Sequence, residues 1–366
     1  MDNLITSNIR QRPVRTIVSV AGIALGVCLV MLFTGLATGM SNDLQRRNSN
    51  LRAEILFTRP GAMQLMVSTP TLSTQYVERL KAIDGVADAV PVATYIYQDP
   101  ARAFGLERVD GIDWEPIAKM NGLKLIVGRG PIAIDEVVID EVKARNNNYT
   151  AGTVIKLFGK RQYRVTGVYS PESGARTKMT LAAMQDALEA PEKCTYILVK
   201  VREPLHEAEL AKRIDAELPG NKVQFTRDVF KSVETTIPAL GVFLRTLVGL
   251  AAIISILVVM LAMYTTITER TREIGILKAL GASRGYIVGV IEKEAIVISI
   301  LGLIIGFAVS FVAGILIHRV YGLLFEYSWK WALTAAAIGM LGGAVGALYP
   351  AIRASNLDPV HALAYD

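Results

Sequence analysis

The chain has 366 residues, 52% of them hydrophobic and only 20% charged, with a formal net charge of +6. That balance argues against an ordinary soluble enzyme, in which about a quarter of residues carry charge. Acidic and basic residues are almost equal in number across the long polar segment 43–244. The positive excess therefore sits beside the apolar windows, which points to membrane topology and lipid headgroups rather than nucleic acid.

Four windows contain no charged residue: 16–42, 246–268, 295–317 and 331–352. A helix rises about 1.5 Å per residue, so roughly 20 apolar residues cross a hydrocarbon core about 30 Å thick. All four windows meet that length. The first is longer than the roughly 7–15 apolar residues of a secretory signal peptide and has no clear cleavage site after it, so it reads as a retained span. The fold class expected is therefore membrane α-helical with four transmembrane helices, and a mixed α/β extracytoplasmic domain inserted between helices 1 and 2. The expected division is an N-terminal segment 1–15, spans 16–42, 245–268, 287–317 and 331–351, a domain 43–244, a loop 269–286, an outer loop 318–330 and a tail 352–366.

Four spans place both termini on one side. Arg10, Arg12 and Arg15 precede the first span, and Arg270, Arg272, Lys278, Arg284 and Lys293 flank the loop after the second. Positive residues concentrate on the cytoplasmic side, which places the termini and that loop in the cytoplasm and the large domain outside, against Arg46, Arg47 and Arg52 on the opposite flank. Tyr327, Trp329 and Trp331 form an aromatic anchor at the outer end of the fourth span.

Within the large domain, 53–59 reads as a strand closed by the Pro60-Gly61 turn. Residues 73–83 read as a helix capped by Ser73 and ended by Asp84-Gly85. Residues 136–140, 153–158 and 162–169 are β-branched or alternating runs, the last two joined as a hairpin through Gly159-Lys160. Leu205, Ala208, Ala211, Ile214 and Leu218 recur at helical spacing before Pro219-Gly220. Cys28 lies in the first span and Cys194 in the polar segment, so no disulfide is implied.

Chemistry-bearing constellations are sparse. A phosphate-binding loop needs two glycines at fixed spacing followed by Lys and a hydroxyl; around Gly159-Lys160, Val154 replaces the first glycine and Arg161 the hydroxyl residue. His206, His318 and His361 lack metal-ligand spacing, so no metal site is expected. Asp135, Glu136, Asp140 and Glu141 read as a solvated strand edge and turn rather than an acid/base pair, and the segment 170–173 lacks nucleophile-elbow glycines. Glu292, Lys293 and Glu294 read as a self-paired interfacial cluster rather than an ion site. No charge falls in mid-membrane, which argues against a proton-driven carrier.

Glycines recur at four-residue spacing inside the spans: Gly22 and Gly26, Gly302 and Gly306, Gly339 and Gly343, Gly342 and Gly346. Such pairs let helices approach closely. The most informative stretch joins the second and third spans, REIGILKALGAS at 272–283. It begins helical, Gly281 stands where a left-handed cap ends a helix, and Ser283 stands where the next helix is capped. Its apolar residues Ile274, Ile276, Leu277 and Leu280 are expected on an exposed face, packed either on lipid or on a partner.

This stretch resembles the signature of the MacB/FtsX-like ABC permeases, the type VII group that includes lipoprotein-releasing permeases. NIRQRPVRTIVSVAGIALGV at 8–27 is similar to that family's cytoplasmic amphipathic helix running into its first span. AEILFTRPGA at 53–62, VERLKAIDGVADAVPV at 77–92 and GTVIKLFGKRQYRVTGVY at 152–169 are similar to its periplasmic core domain. The ending YPAIRASNLDPVHALAYD at 349–366 also resembles the family, with His361 where Glu is usual. The resemblance implies a coupling helix made of Arg272, Glu273, Ile274, Gly275, Ile276, Leu277, Lys278, Ala279, Leu280, Gly281 and Ala282 that docks on a separate cytoplasmic ABC ATPase, present in two copies. It further implies an inner-membrane homodimer with Gly22 and Gly26 at close helix contacts, a periplasmic adaptor in some members, and mechanotransmission in place of a central pore. No cofactor is expected on this chain, ATP and Mg being held by the partner. The implied substrate is a lipid, lipoprotein, peptide or drug-like molecule; the alternative is a membrane-anchored scaffold that regulates an envelope partner such as a cell-wall hydrolase.

Overall fold

The computed structural model describes residues 13–61, 69–98, 106–158, 161–203, 206–228, 238–269 and 271–356. The expected N-terminal amphipathic helix up to residue 12, the hairpin tip Gly159-Lys160, Leu205, and the tail from residue 357, with Asp358, Pro359 and His361, lie outside them. The chain forms two compact units, Ser41–Pro238 on the one hand and Met1–Met40 with Ala239–Asp366 on the other.

The first helix, α1 (Pro13–Ser49), outruns its apolar window. Beyond Asn42 it continues for about two turns, supported there by an i,i+4 ion pair between Asp43 and Arg47 at 3.0 Å.

The large unit follows in the order β1 (Ile55–Thr58), β2 (Leu72–Ser73), α2 (Tyr76–Lys81), β3 (Val86–Gln98), β4 (Leu106–Ile112), α3 (Trp114–Asn121), β5 (Lys124–Gly128) and β6 (Glu136–Asp140). Then come α4 (Glu141–Asn147), β7 (Val154–Leu157), β8 (Arg161–Ser170), β9 (Thr177–Thr180), α5 (Leu181–Ala187), β10 (Lys193–Cys194), β11 (Tyr196–Val201), α6 (Glu207–Glu217) and β12 (Lys222–Phe225). Ten strands form one mixed sheet in the order β12-β1-β11-β3-β4-β9-β6-β8-β5, with β7 also on β8. Most pairings are antiparallel; β4 with β9 and β6 with β8 are parallel.

Alternation along the strands sorts their side chains to two faces. In β1, Ile55 and Phe57 join a cluster with Leu80, Ile197, Leu210 and Ile214 beneath α2 and α6, whereas Leu56 joins Val90, Ile112, Ile117, Tyr169 and Leu198 on the other face. A third cluster gathers Val137, Ile139, Tyr163, Val165, Met179 and Met184. The expected helix over 73–83 is shorter, because Leu72 and Ser73 pair with Cys194 and Lys193 as strands. Ser73 Oγ instead accepts from the amide of Gln75 at 3.3 Å.

The carboxylates read as a solvated edge are not alike. Glu136 accepts from Arg129 Nη1 at 2.8 Å and Nη2 at 2.5 Å, and Glu141 pairs with exposed Arg145. Asp140 departs from the expectation. It is fully buried, caps α4 through the amide of Lys143 at 2.7 Å, and pairs with Arg176 at 2.6 Å. A carboxylate without such partners would not tolerate that burial.

The remaining helices are α7 (Pro238–Glu269), α8 (Thr271–Ala279), α9 (Arg284–Tyr321) and α10 (Trp329–Ser355). Each of the four apolar windows lies within one of α1, α7, α9 and α10, the helices long and apolar enough to cross a membrane. They pack through glycine. A Cβ on Gly302 would stand 2.7 Å from that of Ile23, one on Gly306 2.8 Å from the Ala24 carbonyl oxygen, and one on Gly346 2.7 Å from that of Ile256. Small residues at these points let α9 meet α1, and α10 meet α7, at backbone range.

Gly22 serves the same purpose inside the chain, with Val258 of α7 occupying the space its side chain would need. Gly26 is buried as well. At Gly22 the first span thus approaches the chain's own α7 closely. The loop between α9 and α10 lies on α1: Glu326 donates its amide to the Gly35 carbonyl at 3.1 Å. Tyr327, expected in an aromatic anchor, instead donates its hydroxyl to the Ser310 carbonyl at 2.8 Å and stacks on Phe311; Trp329 is 69% exposed. In the cluster on α9, Glu294 is buried while Lys293 is exposed. A helix turns about 100° per residue, so neighbours in that run face different surroundings.

Candidate functional site

The described residues 271–283 are tied by hydrogen bonds to the helices on either side. Thr271 Oγ1 donates to the carbonyls of Ile267 at 3.0 Å and Thr268 at 2.9 Å, tying the start of α8 to the end of α7. At the other end, the amide of Ala282 donates to the Leu277 carbonyl and that of Gly281 to the Lys278 carbonyl, both at 3.0 Å. With Gly281 at φ +92°, these two bonds are the pairing of a Schellman cap. Ser283 then caps α9, its hydroxyl accepting from the amide of Tyr286 at 3.2 Å. Three residues, Leu280 to Ala282, thus separate the last residue of α8 from the cap of α9.

Two further contacts fix the helix within its unit. Ile274 is 7% exposed and belongs to the core with Ile267, Ile287, Ile291, Ala351 and Ala354. Lys278 Nζ donates to the carbonyl of Ser355, at the end of α10, at 2.9 Å. That carbonyl is among those a helix C-terminus leaves without an internal partner, and a cation is favoured beside it.

The apolar residues expected on one exposed face are therefore divided. Ile274 and Gly275 are buried, a correction to the expectation that Ile274 fills a partner's groove. Ile276 and Leu277 are 44% and 41% exposed, and Leu280 is 80% exposed. Arg272, Glu273 and Ala279 line the same short helix. Residues at i and i+4 share a helix face, which places Ile276 and Leu280 side by side.

The sequence gives no local sign of the Lys278 anchor, because Ser355 is 77 residues away. The cap, by contrast, is visible as Gly281 followed by Ser283.

The model of the MacB-like periplasmic core domain matches residues 16–217, more than half of the chain. That of the FtsX-like permease C-terminal region matches residues 245–359 and covers α8 and all the helices after it. The chain belongs to the MacB/FtsX-like ABC transporter permease family. It is 36% identical over 127 residues to the "uncharacterized ABC transporter permease YknZ" of Bacillus subtilis, covering 34% of this chain and 32% of that protein. It is 24% identical over 377 residues to a "macrolide export ATP-binding/permease protein MacB" of Escherichia coli, covering 96% of this chain and 58% of that protein. The chain thus spans about a third to somewhat over half the length of these relatives. The periplasmic region of MacB from Actinobacillus actinomycetemcomitans aligns with a TM-score of 0.38 and 17% identity, covering 52% of this chain and 98% of that one.

Proposed function

We propose that this permease works by mechanotransmission. A separate cytoplasmic ABC ATPase, in two copies, docks on the coupling segment 272–282, and its closure on ATP moves that segment as a body. The observation that carries the reading is the division within α8: Ile274 and Lys278 root it in its own unit, while Ile276, Leu277 and Leu280 are left exposed on a helix capped at its end. A rigid capped helix passes on a displacement that a flexible loop would absorb. ATP and Mg belong to the partner, this chain being non-catalytic.

In the same reading the chain is a homodimer in the inner membrane with both termini cytoplasmic. The exposed strip of α1, with Ile17, Val18 and Leu25, is the surface offered to the second copy, and a periplasmic adaptor joins the large domain outside. The cargo class is a lipid, lipoprotein, peptide or drug-like molecule.

The test compares Leu280→Asp with Ile274→Asp in native membranes. The first leaves insertion and thermal stability unchanged and abolishes co-purification of the ATPase. The second lowers folded yield, because it buries a charge without a partner. Retention of the ATPase by the Leu280→Asp chain at parental level would refute docking at this site. If the parent itself recovers no ATPase, the chain is a membrane-anchored scaffold instead.

A further inference from the structure

Within the large unit, the loop 172–176 closes on the end of α1. Gly174 and Arg47 bond each other twice: the Gly174 amide donates to the Arg47 carbonyl at 3.3 Å, and Arg47 Nη1 donates to the Gly174 carbonyl at 3.0 Å. Asn50 Nδ2 donates to the Glu172 carbonyl at 2.7 Å, and Ser173 Oγ donates to the Asn50 carbonyl at 3.3 Å. Arg176 bridges two carboxylates, Asp43 on α1 and buried Asp140 at the end of β6. Burial would lower its pKa, but Asp140 and Asp43 hold it above the ordinary arginine value.

The loop is also held from behind. Lys178 Nζ donates to the carbonyls of Ser173 at 2.6 Å and Ala175 at 2.9 Å. Tyr169 adds its hydroxyl to the Ala175 carbonyl at 2.8 Å, and Asp110 accepts from the Ala175 amide at 3.0 Å. The Arg176 carbonyl accepts from the Asp140 amide at 2.9 Å. All five successive carbonyls from Glu172 to Arg176 therefore have donors. A surface loop has no need of that satisfaction, since water supplies it. Gly174 stands at φ +59°, and a Cβ there would lie 3.0 Å from Asp110 Oδ2, so the tight path of the loop requires glycine.

We propose that this loop is a clasp that locks the end of α1 to the sheet, with Arg176 as its positioning residue, so that α1 carries displacement into the large domain without a hinge. The proposal rests on the mechanotransmission reading above. α1 is unbroken from Pro13 to Ser49, and its last turns meet a loop whose five carbonyls all have donors instead of a polar linker. A displacement is transmitted only if neither the helix nor its attachment yields.

The test uses the full chain with its ATPase in lipid nanodiscs and compares the parent with Arg176→Ala, Asp43→Asn and Arg176→Lys. Hydrogen exchange over 43–50 and 172–176 reads the clasp. Spin labels at Glu209→Cys in both copies read how the distance between the two large domains changes between ADP and a non-hydrolysable ATP analogue. Arg176→Ala and Asp43→Asn should raise exchange by at least about tenfold, since each leaves a buried charge short of a partner. In both variants the nucleotide-dependent change in distance is lost while ATP hydrolysis and ATPase binding persist; Arg176→Lys restores the distance change at least in part. If Arg176→Ala does not fold, Asp43→Asn, which keeps the Arg176–Asp140 pair, carries the test. Unchanged exchange, or a distance change that survives a loosened clasp, overturns the proposal. A parent that binds no ATPase, or binds it and shows no nucleotide-dependent distance change, overturns the mechanotransmission reading and the clasp's role with it, whereas a distance change that persists in the loosened variants overturns the clasp alone.

Discussion

The ammonium of Lys278 donates to the carbonyl of Ser355 at 2.9 Å, joining α8 to the end of α10. A charge-assisted bond of this kind contributes roughly 1.5–3 kcal/mol when well formed and partly buried. Lys278→Met keeps the apolar stem and removes the donor. We expect the variant to bind its ATPase within about threefold of the parent, which corresponds to less than 1 kcal/mol, but to show faster hydrogen exchange over 271–282. Exchange matching the parent would mean that the Lys278 bond does not anchor the helix.

Gly281 separates conformational from steric cost. Nothing lies within 4 Å of a Cβ built on it, so a substitution there meets only the strain of φ +92°. A left-handed conformation costs an ordinary L-residue about 1–2 kcal/mol and a β-branched one more, while Asn tolerates it best. Loss of thermal stability and of ATPase binding should therefore follow the order Gly281→Asn, Gly281→Ala, Gly281→Val, which a melting series with pull-down checks. Equal losses in all three would place a partner's surface against Gly281.

The spans were legible because exclusion of charge over some 20 residues is a local signal. The cap at Gly281 was legible for the same reason, as its residue types are adjacent. The division of Ile274 from Ile276, Leu277 and Leu280 was not, since a short helix with apolar residues on several sides does not say which side the rest of the chain covers. Asp140 shows the same limit. Its alternating neighbours suggested a solvated edge, and its partner Arg176 lies 36 residues on, brought close by the antiparallel pairing of β6 with β9. Helix α1 runs on past the apolar window that ends at Asn42, because hydropathy marks where lipid stops rather than where the helix stops.

The turn after β5 carries a pH dependence. Glu136 takes the guanidinium of Arg129 and the amides of Ile132 at 2.9 Å and Ala133 at 3.1 Å. These bonds, that from Arg129 foremost, hold its carboxyl down to about 2, against about 4.3 in an unfolded chain. A depressed carboxylate stabilises above its unfolded value and ceases to do so as pH falls through the folded one. Protection of amides 129–136 should thus be complete above about pH 4.5 and fade toward pH 2. In Glu136→Gln this part of the profile should be flat, as measured by hydrogen exchange corrected for intrinsic rates.

Two glycines of α1 face the loop before α10, and they should respond differently to side-chain growth. A Cβ on Gly35 would stand 2.5 Å from the Phe325 ring, whereas one on Gly39 would be driven into the backbone carbonyl of Leu324, with its carbon 2.7 Å away. A ring can be trimmed; a carbonyl cannot. Gly35→Ala and Gly39→Ala should each lower thermal stability in detergent, since overpacking typically costs about 1–3 kcal/mol. Adding Phe325→Leu makes room beside Gly35, so the Gly35→Ala/Phe325→Leu double variant should lose less than the sum of its two single changes. Combined with Gly39→Ala, the same Phe325→Leu change should be additive or worse, because the obstruction is main chain. Rescue of Gly39→Ala by Phe325→Leu would show that the loop shifts as a whole on α1 and that its seat is set by the ring rather than by the Leu324 carbonyl.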